Sequence, residues 1–349
     1  MIQAGDVKAI YLDEGTANPL LMKTLSLKPL LFEIHNVLNA EECAHFINVA
    51  KEKGLQKSIT TNKRPEHERF VLADYDQNQE LSVEEMRWTI EGSMDIYLDD
   101  EDILEMYRKT NVDKNEDGII DEVELKSFTP KHMQAYLSDF LKNQPEKHSR
   151  FSEQLWLFPR NSTDEVFQSL QKRISKVTEL APEIIKKSDF QVVRYDKKGH
   201  YNAHYDSTRK SNLPCCVEEH QGDCRICRFM TALAYLNDVE EGGETAFPVA
   251  DNETVNVGVI KDKQLLNLNK YCDRANLKIK PELGKLVIWY NHFLDPDTDW
   301  LGEMDRHSIH GGCSVTSGEK WIANFWITAS HDKEKDLEQM FKTLMKDEL

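Results

Sequence analysis

The stretch that most limits how this chain can fold is His200-Tyr201-Asn202-Ala203-His204-Tyr205-Asp206. It follows an alternating run, Gln191 to Tyr195, that reads as a strand. In extended backbone, residues two apart share a face, so His204 and Asp206 offer an imidazole and a carboxylate to one point. Two donors do not make a site. The best third donor, His310, lies about a hundred residues on, in Ser308-Ile309-His310-Gly311-Gly312-Cys313. A fold that uses all three must lay two distant strands side by side, with glycine beside one of them to admit close approach.

The rest of the chain is compatible with such a fold. From Gln191 onward it reads as short strands, Gln191–Tyr195, Phe229–Leu236, Lys285–Tyr290, Ser308–Val315 and Lys320–Thr328, separated by Gly/Asp/Asn/Pro loops. Many short strands with such turns predict a sandwich or barrel, here a double-stranded β-helix or jelly roll. Upstream, Leu25 to Phe32 reads as an apolar strand. Asn39 is placed to cap a helix whose apolar residues Cys43, Phe46, Ile47 and Ala50 recur at helical spacing and which Gly54 ends. A second amphipathic helix is predicted from Val166 to Leu180. Phe70 to about Phe140 is helical and acidic, without strand alternation. The predicted class is therefore α+β: a jelly roll with flanking helices, and an all-α domain between its parts. Residues 1–62 and 146–349 are assigned to the first and 63–145 to the second, with the polar, proline-containing Lys142–Arg150 as linker.

The helical part contains Asp113-Lys-Asn115-Glu-Asp117-Gly118-Ile119-Ile120-Asp121-Glu-Val-Glu124. This fits the twelve-residue EF-hand loop at every position. Oxygen ligands stand at 1, 3 and 5, Gly118 permits the turn at 6, Ile119 supplies a carbonyl at 7, Asp121 stands at 9, and Glu124 can bind through both oxygens at 12. A second copy lies upstream, in Asp74, Asp76, Asn78, Glu80, Ser82 and Glu85, with Gln79 where glycine is expected. Glutamine there requires an unfavourable positive φ, so this loop is expected to bind Ca²⁺ more weakly.

Composition narrows the function classes. With 61 acidic against 44 basic residues the net charge is −17, which excludes a general nucleic-acid binder with a basic face. No run of eighteen apolar residues is present, so no membrane-spanning helix is expected within these residues. The first fifteen residues do not read as a signal peptide. The last four, Lys346-Asp347-Glu348-Leu349, read as an endoplasmic-reticulum retention address and imply the KDEL receptor as a partner. Together these suggest that an entry signal or membrane anchor precedes the sequence. Sequons at Asn161 and Asn252 agree with a lumenal location. So do Cys215, Cys216, Cys224, Cys227 and Cys272, which lie in loop-like surroundings and are read as structural disulfides in an oxidising lumen. Zinc ligation or a redox pair at Cys224-x-x-Cys227 are the alternatives. Cys43 and Cys313 are expected to be free and buried.

Two histidines and one carboxylate with open positions form the facial triad of non-haem Fe(II) oxygenases. Ten residues past His310 comes Lys320, inside the apolar run Trp321, Ile322, Ala323, Phe325, Trp326. A lysine in such surroundings is costly unless it meets an anion, and a dicarboxylate cosubstrate supplies one.

At this point Gln191 to Thr328 resembles the prolyl 4-hydroxylase branch of the 2-oxoglutarate/Fe(II) dioxygenases. The resemblance is carried by Tyr195…Gly199-x-Tyr201-x-x-His204-x-Asp206, Arg228-x-x-Thr231-x-Leu233-x-Tyr235-Leu236-Asn237, Gly242-Gly243-Glu244-Thr245-x-Phe247-Pro248 and His310-Gly-Gly-Cys313…Gly318-x-Lys320-Trp321. The EF-hand pair narrows it to members with a transmembrane anchor and an inserted EF-hand domain, which extends the likeness over nearly the whole chain. The resemblance implies that His204, Asp206 and His310 bind Fe(II). It implies that Lys320 binds the distal carboxylate of 2-oxoglutarate, with Tyr195 and Thr245 sharing that work. Tyr201, Arg228 and Trp326 are implied to line a peptide groove. Thr328 and Ser314 depart from residues common in the family. The implied reaction hydroxylates proline C4 of a peptide while 2-oxoglutarate and O₂ give succinate and CO₂, with ascorbate as a further cofactor. A hydroxylase of another side chain, such as lysine, and a non-catalytic Ca²⁺-sensing lumenal protein are the competing readings.

Overall fold

The computed structural model describes residues 2–12, 18–58, 74–127, 130–158, 164–186, 188–207, 215–216, 225–330, 332–334 and 336. Asn161, Cys224 and the Lys346–Leu349 tail lie outside them. The chain separates into two compact units, Met1–Lys57 with Ser152–Leu349, and Ser58–Phe151.

The first unit is built on a nine-stranded sheet. At its centre Arg228–Tyr235 pairs antiparallel with both Leu286–Tyr290 and Lys320–Thr328, and the latter pairs with Phe190–Tyr195. Leu30–Ile34, Leu20–Leu27 and Val7–Ile10 extend one side, while Glu153–Leu157 and Gln56–Lys57 extend the other. The run Leu25 to Phe32 is thus not a single strand. It spans two, Leu20–Leu27 and Leu30–Ile34, which pair antiparallel across Lys28-Pro29. Proline has no N–H to give a ladder, so it stands at the turn.

Alternation along the central strands divides the interior into two cores. Phe190, Val192, Ala232, Ala234, Leu286, Ile288, Trp321, Ala323 and Phe325 face one way, and helices Ala40–Lys53 and Glu165–Thr178 cover them with Phe46, Phe167, Leu170 and Ile174. Asn39 and Glu42 form a reciprocal capping box on the first helix, and Gly54 ends it at φ +83°. Arg173 clamps Glu42 through two hydrogen bonds of 2.8 and 2.7 Å, which ties the two helices together. The opposite face carries Val193, Tyr195, Leu233, Tyr235, Val287, Trp289 and Ile322.

A smaller antiparallel sheet carries the other half of the fold. Leu277–Ile279, Thr245–Phe247, His310–Gly312 and His200–His204 pair in that order. The expected strand Ser308–Val315 is broken. A 3-10 turn, Arg306–Ser308, precedes His310–Gly312, and Val315–Ser317 pairs elsewhere with Glu241–Gly242. Cys313 is not free, contrary to expectation, but bonded to Cys272; the apolar setting that suggested a buried thiol instead holds a disulfide. Cys215 bonds Cys227, and Cys43 is free and buried. The Cys272–Cys313 bridge closes a loop across a sequence separation of 41, immediately after the His310 strand. Cys272→Ser is expected to lower unfolding free energy by about 2–4 kcal/mol, read as a lower denaturant midpoint. An unchanged midpoint would contradict a stabilising role for the bridge.

The second unit is helical, with Val83–Met94, Asp100–Thr110, Glu122–Ser127 and Pro130–Asn143. Leu81, Met86, Ile90, Ile103, Met106, Tyr107, Ile120 and Leu137 form its own core. The sequence puts its ends at 63 and 145, whereas this unit runs from Ser58 to Phe151. The polar Lys142–Arg150 segment is structured. It holds the end of a helix, a 3-10 turn at Pro145–Lys147, and Lys147 paired with Asp99 and Asp102 at 3.0 and 2.5 Å.

Candidate active site

His204 and His310 stand directly opposite each other on paired strands. Opposed residues share a face, with their Cβ atoms about 5 Å apart. This register is how residues a hundred positions apart meet: their rings lie 4.8 Å apart between centroids. His204 ends its own strand in the smaller sheet, and Asp206 lies just past that strand's end rather than within it. The bend turns the Asp206 carboxylate toward both rings, Oδ1 lying 3.7 Å from His204 Nε2 and Oδ2 3.5 Å from His310 Nε2. Hydrogen-bonded ion pairs of this kind close to about 2.8 Å, so the three groups face a common point without bonding one another. One ligand atom from each lies within 4.8 Å of the others.

The ring protons are fixed. His204 Nδ1 lies 2.9 Å from the Asn202 carbonyl and His310 Nδ1 lies 2.8 Å from the Ser308 carbonyl. A carbonyl only accepts, so each Nδ1 donates and each Nε2 faces inward, with a lone pair to offer when the ring is neutral. Burial alone would raise the Asp206 carboxyl pKa. In the metal-free site the positive charge that His310 and His204 carry when protonated, with Arg228 and the Thr231 hydroxyl, outweighs burial and holds it below the ordinary carboxylate value. Two neutral imidazoles and one carboxylate are the donor set that suits Fe(II), so these residues fit the ion.

Deeper between the sheets lies Lys320, 2% exposed. Its strand alternates, so Lys320 and Ile322 face the site core while Trp321 and Ala323 face the helices. Nζ sits 5.3 Å from the Tyr195 ring centroid and 5.6 Å from that of Tyr235. Among the described residues no carboxylate reaches ion-pair distance of it, and burial pushes the amine down from 10.5 to about 7, opposed by Glu244. Opposite stands Gly312, where an added Cβ would lie 3.6 Å from Nζ and 4.0 Å from Tyr195 Cζ. Glycine there keeps space beside the amine. A buried cation next to reserved space fits a carboxylate ligand. Gly311 is required for another reason, because a Cβ would meet the Tyr201 carbonyl at 2.3 Å.

The remaining expected residues also gather here. Thr245 is buried and its Oγ1 accepts from the Tyr235 hydroxyl at 2.7 Å. The Tyr201 ring stacks on His204 at 3.6 Å. Arg228 donates to the Asp206 carbonyl at 3.4 Å and covers the Trp326 ring at 4.0 Å, with Trp156 a further 5.3 Å beyond Trp326. Sequence reasoning gave no role to Tyr235, Thr231, Trp289 or Asn291, all of which line the site. Part of the signal was present: Thr231, Leu233 and Tyr235 alternate on one face of a strand, while Trp289 lies on the next strand and Asn291 just past its end. Asn252, expected to carry glycan, accepts from Asn276 Nδ2 through Oδ1 at 2.8 Å, and His307 contacts its carbonyl at 3.0 Å.

In the helical unit, the two acidic loops have one backbone form. Leu81 and Ile120, each at position 8, exchange hydrogen bonds of 2.9 and 3.0 Å. At position 6 the amides of Gln79 and Gly118 both donate to the first aspartate, Asp74 or Asp113, at 2.9 Å. Gln79 adopts φ +69° and Gly118 +83°, so the loop without glycine takes the unfavourable geometry. Glu85 and Glu124 each accept from the amide at position 2, at 2.8 Å. Asp74, Asp76 and Glu85 bring carboxylate oxygens within 4.8 Å of one another. In the second loop Asp113 is 8% exposed, and its Oδ1 is buried with no hydrogen-bond partner. An orphaned, buried carboxylate oxygen aimed into such a loop fits a Ca²⁺ ligand.

Comparison with known proteins follows the same lines. Residues 190–328 match the 2OG-Fe(II) oxygenase superfamily. The chain is 36% identical to the human transmembrane prolyl 4-hydroxylase and 37% to the mouse protein, in each case over 326 residues, 88% of this chain and 64% of the relative. It therefore spans somewhat less than two thirds of the length of these relatives. Among solved structures, the viral collagen prolyl hydroxylase of Paramecium Bursaria Chlorella virus-1, in its 2OG complex, is 21% identical over 86% of this chain and 96% of that one, with a TM-score of 0.42. No described helix is long and apolar enough to cross a membrane. Residues 190–328 are thus similar to the 2OG-Fe(II) oxygenase superfamily, and 88% of the chain is similar in sequence to the transmembrane prolyl 4-hydroxylases.

Proposed function

We propose that this protein is a 2-oxoglutarate- and Fe(II)-dependent prolyl 4-hydroxylase that acts on proline residues of a protein or peptide. The observation that carries the reading is the pairing of three side chains that face one point with a buried lysine at ion-pair distance from no carboxylate among the described residues. His204, Asp206 and His310 would hold the iron, which supplies the O₂ chemistry. Lys320 takes the distal carboxylate of 2-oxoglutarate and fixes its length along the pocket, with Tyr195 and the Tyr235–Thr245 pair walling it. Tyr201, Arg228 and Trp326 form the peptide-facing rim; the flat Trp326 and Tyr201 rings suit the proline ring, and Arg228 offers donors to backbone carbonyls left free in an extended chain. Ascorbate belongs to the reading as the reductant that the sequence resemblance implies. The test is 2-oxoglutarate decarboxylation with proline and with lysine peptides; stimulation by lysine peptides alone would overturn the proline assignment, and no stimulation by any would favour a non-catalytic role.

The helical unit is proposed to be a paired EF-hand module in which Asp113, Asn115, Asp117, Ile119, Asp121 and Glu124 bind Ca²⁺ and the Asp74–Glu85 loop binds it more weakly. Asp113→Ala is expected to remove the tighter step from a calorimetric Ca²⁺ titration, and retained tight binding would contradict it. Gln79→Gly is expected to tighten the weaker step several-fold, since a non-glycine residue at positive φ costs about 1 kcal/mol. The lumen of the endoplasmic reticulum is the proposed location, supported by the Lys346–Leu349 tail, the sequons and the disulfides Cys215–Cys227 and Cys272–Cys313.

A further inference from the structure

Behind Asp206 runs a chain of buried hydrogen bonds whose direction is fixed at every step. The Trp289 indole N–H can only donate, and it donates to Asn291 Oδ1 at 3.0 Å. This settles which amide atom of Asn291 is oxygen, so its Nδ2 donates to Thr231 Oγ1, at 2.8 Å. With that lone pair used, the hydroxyl proton of Thr231 goes to Asp206 Oδ2, at 2.6 Å. Trp289 and Asn291 are fully buried and Thr231 is 1% exposed. No water competes for these groups, and a broken link would leave a buried donor unmet.

The relay is anchored at its far end. The Asn291 amide donates to the Phe229 carbonyl at 2.8 Å, and its carbonyl accepts from Asp305 at 2.9 Å. The next residue repeats the arrangement one step on. His292 Nδ1 donates to the Gly302 carbonyl at 2.9 Å, so its Nε2 accepts from the Ser207 hydroxyl at 2.7 Å. Consecutive residues Asn291 and His292 thereby hold consecutive residues Asp206 and Ser207. Trp289 also packs its ring against His310, 4.5 Å between centroids.

We propose that Thr231 and Asn291 are positioning residues that hold Asp206 Oδ2, which also lies 3.5 Å from His310 Nε2, in a hydrogen bond to the protein and so present Oδ1 as the oxygen for the metal. The inference rests on the iron reading of this site. A carboxylate that binds through both oxygens takes four of six coordination positions together with two histidines. A 2-oxo acid then fills the remaining two and O₂ is shut out. One-oxygen binding leaves the third position open. The sequence signal is the alternation Thr231-x-Leu233-x-Tyr235, which puts the hydroxyl on the site face, with Trp289 on the neighbouring strand and Asn291 just past its end.

The test uses the full chain, anaerobic, with Fe(II), 2-oxoglutarate and nitric oxide as the probe for the third position, read by electron paramagnetic resonance. Thr231→Val keeps the shape and removes the hydroxyl. Asn291→Asp keeps the shape and turns the donor into an acceptor, which draws the Thr231 proton away from Asp206. Both are expected to bind Fe(II) with 2-oxoglutarate, seen as the charge-transfer band of the chelate, yet to bind nitric oxide at least ~10-fold more weakly, the low end of what lost outer-shell partners cost. Thr231→Ser is expected to restore wild-type binding, which a packing role for the methyl group would not. Melting curves of the metal-free chains identify a variant that fails to fold, and the other then decides. Wild-type nitric oxide affinity in a folded variant overturns the proposal. Failure of the wild-type chain to form the chelate overturns the iron reading beneath it, and the proposal with it.

Discussion

Asp206→Ala is expected to abolish turnover and to lower Fe(II) affinity by more than the ~10–100-fold that loss of an outer-shell partner costs. Asp206 is the one anionic donor among the three ligands, and its side chain is 5% exposed between both histidines. Its removal leaves two neutral imidazoles, which hold Fe(II) poorly. The fold is expected to survive, because His204 and His310 are placed by backbone register and by their own Nδ1 bonds to the carbonyls of Asn202 and Ser308. The measurement is iron retained after gel filtration, set beside the melting temperature. Loss of iron from a chain that still folds, with a melt lowered only by the unmet Thr231 hydroxyl, matches the assignment; iron retained at wild-type level contradicts it.

Lys320→Met carries effects of opposite sign on binding and on stability. Methionine fills a similar volume without charge. It is expected to raise the KM for 2-oxoglutarate by about 10²–10³-fold, the loss that follows when one partner of a buried charge pair is removed, roughly 3–4 kcal/mol. The free protein is expected to become more stable. Burial lowers the Lys320 amine from 10.5 to about 7, so between those values the unfolded chain holds the proton and the folded chain does not. Stability therefore rises with pH across that window, and the cost is fully present below about pH 7. Methionine removes that cost, and the variant should gain most on the wild type at or below neutral pH. In the wild type, 2-oxoglutarate affinity is expected to fall as pH rises above about 7, because the carboxylate requires the protonated amine. A Lys320→Met variant with unchanged KM would place the cosubstrate elsewhere.

The sequence was informative where chemistry demands particular residue types at particular spacings. His204, Asp206 and His310 stood out as a set of metal-ligand types at a telling spacing, and Lys320 because a lysine in an apolar strand is costly without an anion. Asn39 and Gly54 marked a helix because few residues serve at those ends. The loops at Asp74 and Asp113 were legible for the same reason. Apolar patterning left other points open. It did not separate the Leu20–Leu27 and Leu30–Ile34 strands, since both are apolar across the turn. It did not distinguish a buried thiol from a buried disulfide at Cys313, because both suit the same surroundings. The path that brings Thr231, Asn291 and Trp289 behind Asp206 depends on strand order, and the pairing of Arg228–Tyr235 with Leu286–Tyr290 is a long-range register that no local pattern encodes.

The most direct test of the central claim is to incubate the chain with Fe(II), 2-oxoglutarate, a proline-containing peptide and isotopically heavy O₂, and to locate the label by tandem mass spectrometry. One heavy oxygen on a proline ring, with succinate formed in step and both lost in Asp206→Ala, is the predicted result. Decarboxylation without a labelled proline in any peptide tried, or labelled proline undiminished in Asp206→Ala, would contradict it.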